Sequence, residues 1–198
     1  MMKSGSESWQ VTTDPNLELN FAVYLACAFG LCGEQPQSSI ASWPQPMFEA
    51  PAAHADMAAA WSAWWEDLCA ERRLSVEQKQ NRLGSSLCDP PEFRGVVHQG
   101  LRRSCQMAWP SFSAWWEMPA GGKFALEYWT SMNNLHAFIY KFEQRAVRTV
   151  KPFRLHIDVV YTGLTERLEL GSGYVVAPVW PALMLDEAWW QKKLQAIG

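Results

Sequence analysis

The side chains able to do chemistry in this chain are few and scattered. The histidines are His54, His98, His136 and His156, and the cysteines are Cys27, Cys32, Cys69, Cys88 and Cys105. A metal site needs converging ligands, usually signalled by C-x2-C or H-x3-H spacing. Cys27 and Cys32 are five positions apart and do not share a helix face, while His98 and Cys105 share one but supply only two ligands. No metal is expected. Nor is there a G-x-S-x-G elbow or a cysteine beside a histidine in sequence.

Nucleophile–base pairs form in space, so one enzyme reading stays open: a small hydrolase or transferase with a cleft between a helical body and a sheet. Its candidates are His136, His156, Asp158, Tyr161 and Cys105. The bland reading of each is near at hand. His156 stands on the outer face of an alternating strand, as surface histidines do, and Cys105 reads as a small core side chain. Neighbouring acids such as Glu66-Asp67 and Asp186-Glu187 diverge in direction and suit helix-start and solubility roles. With neither a Walker loop nor G-x-G-x-x-G, no nucleotide cofactor is expected. Gly171-Ser172-Gly173 joins two strands and reads as a turn.

Charge offers a second kind of site. Residues 1–71 hold nine acidic side chains and one basic, whereas residues 72–198 hold sixteen basic and eleven acidic. Lys141, Arg145 and Arg148 recur at i, i+4, i+7, and Lys151 and Arg154 continue the stripe. A focused basic face attracts nucleic acid or an acidic protein. Against this stand the overall pI of about 5.8 and the acidic first 71 residues, which can neutralise the stripe from within. A solvated helix face is therefore the simpler account, and nucleic-acid binding the alternative. A third kind of site is the loop Ser42-Trp43-Pro44, which either presents Trp43 as an aromatic anchor or folds it back over the helices.

The leading functional reading is a non-enzymatic protein that binds a macromolecular partner or itself. Trp43, Lys141, Arg145, Arg148 and Arg154 would be its contact residues. The odd number of unclustered cysteines, with no signal-peptide pattern in the first sixteen residues, points to reduced thiols in a cytoplasm. The apolar stretch from Leu17 to Cys32 is short for a membrane span, which needs about 20 residues, and reads as a core helix. No membrane role is expected.

The elements that must position these groups follow from periodicity. At 198 residues a single domain spanning 1–198 is expected. Its class is α+β: a mainly helical body over about 14–150, then a small antiparallel β-meander backed by a terminal helix over about 151–198. Residues 1–13 read as frayed or loosely strand-like. Asp14-Pro15 supplies a start for a first helix that Gly33 ends. Met57, Trp61, Trp64, Trp65 and Leu68 mark a second helix, Ser75 with Gln78 a third, and residues after Asp89 a fourth that Pro110 ends. Residues 123–150 fit one long helix with a weak point at Asn133-Asn134, or a β-hairpin turning there. Phe153, Leu155, Ile157 and Val159 alternate with polar neighbours as a strand. Leu168 with Leu170 and Tyr174–Ala177 form its expected successors.

Twelve tryptophans supply much of the apolar area. Two copies of Ser-Ala-Trp-Trp-Glu begin at Ser62 and Ser113, and Glu-Ala-Trp-Trp-Gln begins at Glu187. Unequal intervals and unlike flanks exclude a repeat. Adjacent helical residues diverge by about 100°, so each pair is expected to put one ring in the core and its neighbour at the edge.

Overall fold

The computed structural model describes residues 2–4, 9–31, 43–47, 55–78, 85–119, 121–131, 135–179 and 187–197. In chain order these form β1 (Met2–Ser4), β2 (Trp9–Asp14), α1 (Leu17–Phe29), α2 (Ala55–Glu77), α3 (Gln99–Trp116), α4 (Gly122–Ser131) and α5 (Leu135–Ala146). After them come β3 (Phe153–Val160), β4 (Leu168–Gly171), β5 (Tyr174–Pro178) and α6 (Glu187–Ile197). The α+β class holds, but the sheet is not the expected antiparallel meander. It is a five-stranded mixed sheet in the order β1-β2-β3-β5-β4.

The three central strands, β2, β3 and β5, run parallel, and the edge strands β1 and β4 run antiparallel to their neighbours. Burial explains this order. All five residues of β5 are buried, so it needs cover on both faces and neighbours on both sides, while β4 is only partly buried and suits an edge. β2 alternates buried and half-buried residues and pairs in register with β3, Trp9 opposite Phe153 and Asp14 opposite Asp158. Within the stretch read as frayed or loosely strand-like, Trp9 to Thr13 thus belong to an inner strand of the sheet.

Helix α1 is apolar nearly all round and is buried at every position from Leu19 to Ala26, as a central helix must be. Its cap is Asn16, whose Oδ1 accepts from the Leu19 N–H at 2.9 Å, and not Asp14, which ends β2. The helix closes at Gly30 in a left-handed conformation, three residues before the expected Gly33. Buried Asn20 ties it to the sheet: Nδ2 donates to the Val159 carbonyl and Oδ1 accepts from the Tyr161 N–H, both at 2.8 Å.

The expected boundaries of the next two helices move. α2 runs on past Ser75 to Glu77, absorbing the start of the expected third helix. α3 starts late, at Gln99, capped by His98 Nδ1 accepting from the Leu101 N–H, and passes through Pro110 to Trp116. Pro110 and Gln106 are both exposed, so water can serve the carbonyl that the missing N–H leaves behind. Buried Phe112 and Trp116 beyond it reward the continuation. Residues 123–150 are helical on both sides, as α4 and α5, and the expected weak point at Asn133-Asn134 lies outside the described residues.

The tryptophan pairs depart from expectation. Trp64 and Trp65 are both buried, as are Trp189 and Trp190; only Trp115 with Trp116 divides into a half-buried and a buried ring. Partners on two sides allow this. Trp64 Nε1 donates to the Leu87 carbonyl at 2.8 Å, and Trp65 stacks on Trp61, whose Nε1 donates to the Ala22 carbonyl at 2.9 Å. Trp189 Nε1 donates to Glu169 at 3.0 Å while Trp190 stacks on Phe138. The indoles act as wedges with hydrogen-bonded tips, joining α2 to α1 and α6 to the sheet.

Candidate active site

One face of the sheet carries a row of polar side chains. Gln10, Thr12 and Asp14 of β2 lie opposite Arg154, His156 and Asp158 of β3, and His156 lies opposite Tyr174 of β5. The last turns of α2 lie over this face and bring Arg72, Ser75 and Val76 to it. Between them is a cleft of about 780 Å³. Along β3 the burial deepens from exposed Arg154 through half-buried His156 to fully buried Asp158, so Arg154 marks the mouth and Asp158 lies behind the lining, under His156 and Tyr174.

Asp158 is the hub. Its Oδ2 accepts from Arg72 Nε at 2.8 Å and from the Tyr174 hydroxyl at 2.7 Å. Its Oδ1 accepts from Arg72 Nη2 at 3.0 Å and from His156 Nε2 at 2.8 Å. Burial alone would raise the Asp158 pKa, but the hydrogen bonds from His156 and Arg72 outweigh it and hold the carboxyl below its ordinary value. The same contacts act on the partners. Burial opposes the charge on Arg72, yet the Asp158 carboxylate pushes its pKa up. Burial, with the charge of Asp158 beside it, pushes up the Tyr174 phenol. Arg72 Nη2 also reaches Asp14 Oδ2 at 2.6 Å.

The shorter of the two polar contacts at Nε2, 2.8 Å to Asp158, selects a histidine tautomer. An ionised carboxylate only accepts, so Nε2 carries the proton that Oδ1 receives, and Nδ1 holds the lone pair in the neutral ring. Arg72 Nη2, which donates to the same oxygen, also lies 3.2 Å from Nε2 and would donate to it in the other tautomer.

Asp14, His156 and Asp158 bring their ligand atoms within 4.8 Å of one another, the spacing of a metal site. Arg72 Nη2 is within 3.2 Å of all three, so the guanidinium already supplies the cation there. A metal ion would have to displace it.

Of the five enzyme candidates, only His156 and Asp158 meet. His136 is exposed on α5, with its ring centroid 5.1 Å from that of Trp9. Cys105 is wholly buried in α3, and burial pushes its thiol pKa up, the condition of an inert thiol. Tyr161 is half-buried against Trp43 and Trp115. Trp43 itself folds back, its ring packed on Tyr24, Phe112 and Trp115. Among the described residues, the acid that the basic stripe meets is on α6. Lys141 and Arg145 both pair with Glu187, at 3.0 and 2.9 Å, and Arg148 lies over the Phe142 ring. Arg154 is at the cleft mouth.

Sequence reasoning passed over Arg72, Asp14 and Tyr174. The signal available was the i, i+2 pair His156 and Asp158 on one strand face, beside a fully apolar strand that must neighbour it. No family model, curated protein or solved structure matches the chain. Among the described residues no helix is long and apolar enough to cross a membrane.

Proposed function

We propose that the protein is a small hydrolase or transferase whose active site is the cleft between α2 and the sheet, with His156 as its acid–base group. One observation carries this: His156 Nε2 donates to the buried Asp158 carboxylate at 2.8 Å on the wall of a cleft large enough for a small molecule. Asp158 orients the ring and offsets the imidazolium that forms when Nδ1 takes a proton. Tyr174 and Arg72 hold Asp158 in place and so act as positioning residues. The proton would come from a substrate hydroxyl or from water; Nδ1 would return it to the leaving group. The test is turnover of chromogenic esters, phosphoesters, amides and glycosides by wild type and by His156→Gln. Loss of about 10² to 10⁴ in rate with the fold intact supports the reading. Wild-type inactivity across all four classes rejects it.

Partner binding is the second reading, and a separate surface favours it. Phe124 and Tyr128, one turn apart on α4, are 44% and 62% exposed, with Met118 49% exposed close by in sequence. Replacing both rings by serine would abolish capture of a partner without touching the cleft.

A further inference from the structure

We infer that the substrate carries an anionic group, a phosphate or a carboxylate, and that Arg154 at the cleft mouth receives it. This rests on the cleft being an active site and names the class of molecule it takes. The inference follows from which charges in the cleft are already matched. Asp14 and Asp158 share Arg72. Glu77 has Arg73 at 3.9 Å. The Arg154 side chain has no hydrogen bond or ion pair among the described residues, although it lines the same cleft and is exposed. Its guanidinium is therefore the cation of the cleft that has no acidic partner among the described residues. Arg72 adds a second donor, since its Nε and Nη2 are engaged while Nη1 makes no hydrogen bond among the described residues.

Geometry joins this charge to the reacting group. Arg154 and His156 are two residues apart on β3 and on one face of the sheet, which separates their Cα atoms by about 7 Å. A small molecule whose anionic end sits a few bonds from its reacting atom spans that gap. Arginine presents a planar fork matched to two oxygens, which favours phosphate and carboxylate over a diffuse negative charge. Thr12, beside them on β2, lines the same cleft and offers a neutral hydrogen bond to the same oxygens.

The test is titration calorimetry with phenyl phosphate and with benzoate, on wild type, Arg154→Gln and His156→Gln. The expected result is that one of the two anions binds wild type and that Arg154→Gln weakens it tenfold or more. Arg154→Lys should restore only part of the affinity. Preference for phenyl phosphate assigns the group as phosphate, and preference for benzoate assigns it as carboxylate. His156→Gln should bind nearly as well as wild type, because it removes the proton carrier and leaves the anion's seat. If neither anion binds, or if Arg154→Gln binds as tightly as wild type, the inference is overturned. A loss of turnover in His156→Gln alone would then leave the acid–base reading standing without it.

Discussion

The guanidinium of Arg72 grips both oxygens of Asp158 across the gap between α2 and β3, Nε to Oδ2 at 2.8 Å and Nη2 to Oδ1 at 3.0 Å. Removing one partner strands the other charge in a buried place. Arg72→Met should therefore cost roughly 3–5 kcal/mol in denaturant unfolding. The double variant Arg72→Met with Asp158→Leu should recover much of that loss. A double variant no more stable than the single one would show that the charge itself is not what α2 needs.

Buried Asp158 and half-buried Glu18 pull the pH profile in opposite directions. The Asp158 pKa is held below its ordinary 3.8, so its contribution to stability is present above that value and lost as pH falls through the lower folded one. Asp158→Asn should flatten this acid limb. Glu18 is raised above its ordinary 4.5, chiefly by burial, although the Ser85 N–H bonded to it works the other way. Its contribution is therefore present below 4.5 and lost as pH rises through the higher folded value. Glu18→Gln should gain stability at pH 7 and show no gain at pH 4, as read from thermal midpoints at the two pH values.

Asn20 should be intolerant of an apolar replacement despite its wholly buried site. Asn20→Leu leaves the Val159 carbonyl and the Tyr161 N–H unpaired, at about 1–3 kcal/mol each. Faster amide exchange at Tyr161 in the variant would locate the damage.

Gly30 and Gly122 both have positive φ, +62° and +50°, yet should respond differently to alanine. A Cβ at Gly30 meets open space, so Gly30→Ala should cost about 1–2 kcal/mol from the left-handed backbone alone. At Gly122 a Cβ would lie 2.3 Å from the Trp116 carbonyl oxygen, and the corner between α3 and α4 must open. Thermal unfolding should rank Gly122→Ala clearly below Gly30→Ala.

Glu187 gathers Lys141 and Arg145, but the pairs lie in solvent. Glu187→Gln should move the thermal midpoint little, and that shift should vanish in molar salt. A large, salt-insensitive loss would mean that this contact does more to hold α5 against α6 than its exposure suggests.

The helices were largely legible in the sequence because apolar spacing reports burial directly, as at Met57, Trp61, Trp64 and Leu68. Their ends were less so. Asp14 was read as a helix start because its chemistry suits a cap, but the tertiary partner Arg72 claims the side chain and the neighbouring Asn16 takes the role. Strand order was misread for a related reason. Turn chemistry at Gly171–Gly173 shows that β4 and β5 form a hairpin, but cannot say which of them lies beside β3. The unbroken apolar run of β5 held that answer. His156 and Asp158 were named as candidates because of their types. Their meeting was visible only as two polar residues on one strand face, and nothing local pointed to Arg72, which lies 86 residues from Asp158.

The parallel register of β2 with β3 has a kinetic consequence. Trp9 finds Phe153 only by closing a loop that contains every helix from α1 to α5, and long closures must be paid in chain entropy before any pairing repays them. Local helices should therefore gain structure early, with the first inner strand left unmated until β3 reaches it. A stopped-flow trace should register backbone helicity ahead of docking, and the pocket would be the last thing the polypeptide builds.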